Sequence, residues 1–134
     1  MPERKTIERA KQDKREGKAP TTQAGAFVRE EIEHVRKGKH GARSTEQAIA
    51  IGLSKARRAG VKLPPPPKGR TSEKTRRSAE RAYRIGQSRA AQATSTRRSE
   101  ATSKTLQREG QQAASSRALS QHARRVASQR KKAA

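Results

Sequence analysis

Residues 21–60, TTQAGAFVREEIEHVRKGKHGARSTEQAIAIGLSKARRAG, decide the fold, because they carry the apolar pattern of two helices separated by a basic loop. In the first helix the apolar residues recur three and four positions apart, which puts them on one face. They are Ala24, Phe27, Val28, Ile32 and Val35. Thr21 or Thr22 can cap the start of this helix and Gly38 can end it, so we predict a helix over residues 21–37.

The second helix follows a capping box, in which the Ser44 side chain accepts a hydrogen bond from a backbone amide and Gln47 reaches back. Its apolar face consists of Ile49, Leu53 and Ala56. Gly52, one turn before Ala56, would let another helix approach closely. Gly60 has the position of a left-handed residue after a helix, with Val61 as its apolar partner, so the predicted helix covers residues 45–59.

Charge and proline divide the rest of the chain. Residues 1–19 alternate in charge sign, and we expect a frayed helix or a disordered arm there, so the predicted helical head comprises residues 1–63. The run of prolines at positions 64–67 favours an extended polyproline spacer, and residues 64–70 are the predicted linker. Residues 71–134 are the predicted basic tail, rich in Ala, Arg and Ser.

Large apolar side chains are too scarce for a sizeable core. Leu, Ile, Val and Phe number 14 of 134 residues, well below the level, about a fifth, at which a highly charged chain is expected to be disordered. The tail should hold one helix capped by Thr71 or Ser72 and marginal helices near Leu106 and Val126. The expected fold class is all-α: a small helical hairpin head, a proline spacer and a partly disordered tail.

The net charge is the strongest functional signal. Lys and Arg number 34 against 12 Asp and Glu, a formal charge of +22. A chain this basic repels itself and suits a polyanionic partner, of which the DNA duplex is the commonest. With one Phe, one Tyr and no Trp, the chain cannot stack bases repeatedly, which favours duplex over single strands. The absence of cysteine excludes disulfides and thiolate metal sites.

The candidate phosphate contacts are basic residues around the second helix and basic clusters along the tail. Around the second helix they are Lys37, Lys39, Arg43, Lys55, Arg57, Arg58 and Lys62. In the tail they are Arg76, Arg77, Arg97, Arg98, Arg124, Arg125, Arg130, Lys131 and Lys132. The alternative interpretation pairs Arg57 and Arg58 with acidic side chains of the first helix and treats the tail as a solubilising segment.

No catalytic residues, enzyme activity or cofactor are predicted. The sequence has no nucleophile elbow and no Walker-type glycine loop, and its apolar content is too small to enclose a dry pocket. Glu30 and His34 lie four apart on the first helix and His40 follows, a set that could bind zinc. Because no second His or Cys has matching spacing, a solvated helix face is the favoured interpretation and no metal is expected.

Three blocks of the hairpin resemble an uncharacterised bacterial family of small basic proteins. They are residues 39–44 (KHGARS), 47–54 (QAIAIGLS) and 56–60 (ARRAG). The opening residues and the region from Arg108 to Ala127 are similar to longer members. Members are commonly catalogued as domains of unknown function or as DNA-binding, so the resemblance implies a bacterial host and a link to DNA. It assigns no residue a role.

Taken together, these features predict sequence-tolerant binding to duplex DNA, mainly through phosphates, in a nucleoid-associated or accessory role. An RNA-scaffold protein of ribosomal type and a protein-interaction module remain the alternatives, and an Ala/Gly-lined helix face leaves a homodimer open. No apolar run approaches the length of a membrane span, about 18 residues, and the N-terminal residues lack the apolar segment that a secretory signal would have. We therefore expect no membrane partner and a cytoplasmic location, at the bacterial nucleoid.

Overall fold

The computed structural model describes residues 2–88 and 96–133, and within this range the chain is helical, without strands. The α-helices are α1 (Arg4–Arg15), α2 (Pro20–Arg36), α3 (Thr45–Arg58), α4 (Glu73–Gln87), α5 (Thr96–Gln107) and α6 (Ser116–Ala133). A 3-10 turn, Gln112–Ala114, precedes α6. The all-α fold class is therefore confirmed. Positions 89–95 of the predicted tail lie outside the described residues.

The helix starts show which local signals the chain uses. α2 begins at Pro20 rather than at a threonine cap, and the amides of Thr22 and Gln23 donate to the Ala19 carbonyl at 3.0 and 3.1 Å. Proline suits this first helical position because its missing N–H would have no partner there. At α3 the capping box is confirmed: Ser44 Oγ accepts from the Gln47 amide at 3.1 Å. Gln47 Oε1 reaches back and accepts from the amide of Arg43, the residue before the cap, at 2.6 Å.

The helix ends follow the predicted glycines. Gly60 has a φ of +101°, a conformation that glycine adopts without steric cost. Its amide donates to the Arg57 carbonyl at 3.1 Å, and the Val61 amide donates to Ala56 at the same distance, the pair of bonds of a Schellman motif. Val61 is buried. The chain therefore turns sharply after α3 and carries its next apolar side chain back to the helix.

The chain divides into two compact units, and the first comprises Met1–Glu30 and Ala50–Ala93. Its core is built from one aromatic residue and small apolar ones: Ala10, Ala24, Phe27, Ala56 and Val61, with Ile7, Leu53 and Leu63 packed against them. α4 adds buried Ala79 and Ala82. Alanine contacts let helix backbones approach closely, so a small apolar content still gives a packed interior.

Residues 4–15 form α1, where we expected a frayed helix or a disordered arm. Ala10 of this helix is 5% exposed and belongs to the first core, and Ile7 packs against the same cluster. Asp13 is buried and pairs with Lys18 Nζ at 3.2 Å. The order of α1 thus comes from burial against residues that are distant in sequence, a contribution that local propensity does not reveal.

Gly52 lies where α2 and α3 cross within the first unit. A Cβ atom added there would sit 2.7 Å from Val28 Cα, which is backbone and cannot move aside cheaply. The predicted close approach of a helix to Gly52 is therefore confirmed. Ala56, one turn further on, is fully buried.

Gly52→Ala should destabilise the protein by about 1–2 kcal/mol, because overpacking against backbone outweighs the better helix propensity of alanine. Gly25→Ala is the matched control, since its added Cβ would meet no atom within 4 Å. That substitution should stabilise α2 by roughly 0.5–1 kcal/mol. Urea unfolding followed by circular dichroism measures both, and effects of the same sign would contradict the close approach.

The second unit comprises Glu31–Ile49 and Thr94–Ala134. Val35, Ala42 and Ala48 from the hairpin pack here with Ala113 and Ala114, and half-buried Ile32 lies against them. Hydrogen bonds also connect these segments. Thr45 Oγ1 donates to the Ala113 carbonyl at 2.6 Å, and Arg36 Nε donates to the Ala114 carbonyl at 2.8 Å. Each unit therefore combines residues of the predicted head with residues of the predicted tail.

Candidate nucleic-acid interface

Helix α6 carries six basic residues and no acidic one. They are Arg117, Arg124, Arg125, Arg130, Lys131 and Lys132, and all six are exposed. Ser115 caps the helix by accepting from the Ala118 amide at 3.1 Å. The three basic residues of the last turn suit the negative end of the helix dipole, so they stabilise the helix as well as charging it.

Three of these residues form a line along α6, which we call the α6 stripe: Arg117, Arg124 and Lys131. Residues seven apart in an α-helix are two turns apart and lie nearly above one another, separated by about 10.5 Å. The half-buried side chains of the helix, Ala118, Leu119, His122 and Val126, occupy the other side. The α6 stripe therefore faces solvent, while the apolar side of α6 faces the rest of the second unit.

Arg125 differs from the stripe because it pairs with a carboxylate. Its Nη2 lies 2.7 Å from Glu46 Oε1, and His122 Nδ1 lies 3.3 Å from the same oxygen. A hydrogen bond from its own backbone amide, together with His122 and Arg125, lowers the pKa of the Glu46 carboxyl. These contacts join α6 to the first turn of α3. Arg125 thus has a structural partner in addition to the predicted phosphate role.

Further predicted residues of the second unit are exposed. Arg97 and Arg98 lie in the first turn of α5, and Lys37, Lys39 and Arg43 surround the loop between α2 and α3. This loop is held in place because the Gly41 amide donates to the Leu106 carbonyl at 2.7 Å and the Ala42 amide to that of Gly110 at 3.0 Å. The loop therefore presents its cations from a fixed backbone.

In the first unit, Arg57 departs from the prediction. Its residue is 7% exposed, and its Nε and Nη2 donate to the carbonyls of Leu63 and Pro64, each at 3.1 Å. Burial lowers the pKa of this guanidinium. Arg57 therefore holds the chain after Gly60, and a phosphate contact would have to compete with these two hydrogen bonds. Lys55 is half-buried, whereas Arg58 and Lys62 are exposed.

The basic residues of α4 are partly neutralised within the helix. Arg76 makes two bonds to Glu73, at 3.2 and 3.1 Å, and its guanidinium lowers the pKa of the Glu73 carboxyl. Arg77 Nε lies 3.9 Å from Glu73, and Arg84 pairs with Glu80 at 3.0 Å. Helix α4 therefore offers a weaker field to an anion than acid-free α6.

Sequence reasoning missed Arg117, because it does not belong to a cluster of basic residues. Its spacing of seven from Arg124, repeated to Lys131, was the signal that could have identified it. It likewise missed the exposed α4 residues Lys74 and Arg81, which lie seven apart.

The histidines also differ from expectation. Glu30 is buried, accepts from the Glu3 amide at 2.5 Å and lies near His34, while Glu31 lies near both imidazoles. His40 Nε2 is 3.2 Å from Glu31 Oε2, and His34 Nδ1 is 3.9 Å from Oε1. The side chains of His34 and His40 are only 13% and 16% exposed, and that of Glu31 is fully buried. These groups do not form a solvated helix face.

Comparison with known proteins gives a partial assignment. Residues 4–68 match the model of a family described as a family of unknown function, DUF6496. The matched range contains the three blocks that carried the resemblance, and it supports similarity to an uncharacterised family. No curated protein and no solved structure gives a significant match. Within the described part of the chain, no helix is both long and apolar enough to cross a membrane.

Proposed function

We propose that this protein binds duplex DNA through its phosphates with little sequence preference, as a nucleoid-associated or accessory protein of the bacterial cytoplasm. The observation that carries the proposal is acid-free α6, whose solvent side bears the α6 stripe. The net charge of +22 supplies a long-range attraction to any polyanion, and the stripe provides a surface on which that attraction is concentrated.

The surroundings of the stripe favour close approach to a phosphate backbone. The exposed residues that flank it are short or neutral: Ser120, Gln121, Ala127 and Ser128. Small flanking side chains let a helix lie near the duplex, so that long Arg and Lys side chains reach phosphates on either side. Contacts of this kind position a protein on DNA without reading bases, which accounts for the proposed sequence tolerance.

The stripe should contribute a measurable part of the salt dependence of binding. The slope of log affinity against log salt is negative, and each phosphate contact adds about 0.9 to its magnitude. Arg117→Gln, Arg124→Gln and Lys131→Gln together should therefore reduce this magnitude by about 2.7. Binding of full-length protein to a random-sequence duplex of about 30 base pairs, titrated between about 50 and 200 mM salt, provides the measurement.

A matched triple variant removes the same charge from another helix. Arg9→Gln, Lys11→Gln and Lys14→Gln change three exposed residues of α1 and should leave most of the slope in place. An equal reduction of the salt dependence in the two triple variants would mean that net charge attracts DNA diffusely, and it would contradict a role for the α6 stripe. Tighter binding to structured RNA than to the duplex at equal salt would favour the RNA-scaffold alternative.

A further inference from the structure

We propose that Glu31, His34 and His40 form a binding site for a divalent transition-metal ion, with zinc as the ion that fits best. We call these three residues the histidine cluster. Their potential ligand atoms all lie within 4.8 Å of one another. Two imidazole nitrogens and one carboxylate are a donor set that zinc favours, with a water molecule completing four-coordination.

The separations between the potential ligand atoms are close to those around a tetrahedrally coordinated zinc ion. Zinc–nitrogen bonds of about 2.0–2.1 Å in a tetrahedron place neighbouring ligand atoms about 3.3 Å apart. The separation of His40 Nε2 from Glu31 Oε2 is 3.2 Å, which already matches. His34 Nδ1 lies 3.9 Å from the other carboxylate oxygen, Oε1, and one potential ligand atom of each residue lies within 4.8 Å of the others. The two rings meet edge to face, with centroids 6.0 Å apart.

A hydrogen bond behind the cluster fixes the orientation of His40. Its Nδ1 lies 2.9 Å from the Gly41 carbonyl oxygen, which can only accept, so Nδ1 carries the proton. His40 Nε2 lies 3.2 Å from Glu31 Oε2, so a metal ion bound there would take the place of the proton that a histidine–carboxylate ion pair shares between these two atoms. Metal-bound histidines commonly have this second hydrogen bond, which sets both tautomer and ring orientation.

Backbone geometry holds the three ligands together. Glu31 and His34 are three residues apart near the end of α2, and so share one side of the helix. Gly38 then turns the chain with a φ of +76°, and the Lys39 amide donates to the His34 carbonyl at 3.0 Å, which brings His40 back toward the helix. Because the imidazoles are slightly exposed and the carboxylate is buried, an ion would enter from the solvent side.

Zinc titration of the full-length protein tests this proposal. We expect one zinc ion per chain, measured by competition with a chromophoric chelator, and visible absorption of four-coordinate cobalt when Co²⁺ replaces it. His40→Gln, His34→Gln and Glu31→Gln should each weaken zinc binding at least about tenfold, because each removes a ligand. His122→Gln is the matched control, since it removes the remaining histidine of the chain and should leave the affinity unchanged.

The outcomes separate a metal site from a histidine–carboxylate ion pair. The proposal would be overturned if wild-type protein showed no stoichiometric zinc binding. It would also be overturned if His122→Gln, and not His40→Gln, weakened zinc binding. Where a cluster variant unfolds, wild-type protein decides the question alone: zinc should raise its melting temperature in proportion to the logarithm of free metal. An unchanged melting temperature would also overturn the proposal.

Discussion

Replacing Phe27 with alanine is expected to destabilise the protein by about 3–5 kcal/mol, the usual cost of removing a fully buried aromatic ring. Phe27 is 1% exposed and is the only phenylalanine of the chain. The other buried residues of the first core are alanine and valine, which cannot extend into the space that the ring leaves, and the longer side chains of Ile7, Leu53 and Leu63 lie at its partly buried edge. Because whole domains are stable by only about 5–15 kcal/mol, a loss of this size would leave a large unfolded fraction.

Denaturant unfolding of Phe27→Ala and Phe27→Leu, followed by circular dichroism, measures this effect. The leucine variant keeps most of the side-chain volume and should cost less than about 1.5 kcal/mol. A difference of less than about 1 kcal/mol between the two variants would show that the first core is not organised around the ring.

Gly86→Ala is expected to have the next largest effect, a destabilisation of about 3 kcal/mol through overpacking. The added Cβ would overlap the Arg57 carbonyl oxygen and would lie 3.0 Å from the Gly60 amide nitrogen. Both neighbours are backbone atoms of the turn that ends α3. α4 would therefore have to move away from this turn and lose the bond from Gln87 Nε2 to the Gly60 carbonyl, now 3.1 Å.

Two measurements on Gly86→Ala separate undocking of α4 from a general loss of stability. Limited trypsin digestion should cut the variant faster than wild type at Lys68 and Arg70, because the segment before α4 would be released. Gly110→Ala serves as control, since its Cβ would meet no atom within 4 Å. Unchanged unfolding and cleavage in Gly86→Ala would contradict the contact between α4 and the end of α3.

Much of the hairpin could be predicted because its signals are local. Apolar spacing, the Ser44 cap and the glycine after α3 act within a few residues, and the structure has helices at Pro20–Arg36 and Thr45–Arg58. The start of α2 was misassigned because proline at a first helical position competes with threonine capping one residue later. Both signals fit the same sequence, and only backbone geometry distinguishes them.

The packing of the flanking helices could not be predicted, because alanine gives little periodic signal. Ala113 and Ala114 become buried only when Val35 and Ala48 are brought to them from more than sixty residues away. Alanine is the best helix former and is common on helix surfaces as well as in cores. Its burial therefore depends on partners, and those partners are not neighbours in the sequence.

The candidate sites show the same limit. The charge of α6 could be read from composition, but the burial of Arg57 depends on the turn at Gly60, which brings two carbonyl oxygens to its guanidinium. The sequence indicated Glu30 as the neighbour of His34, although a spacing of three suits a helix as well as a spacing of four. Both carboxylates are buried, and what distinguishes Glu31 is its contact with His40 at 3.2 Å, which depends on the turn after α2.

The discontinuity of the two units has a consequence for protein synthesis. Residues 31–49 leave the ribosome early, yet Val35 and Ala48 find their core partners only when Ala113 and Ala114 follow. At about 5–20 residues per second, the roughly 65 residues between Ala48 and Ala113 take about 3–13 s to translate. During that interval the nascent chain exposes this apolar face to chaperones, and slow codons in the intervening message would lengthen the exposure.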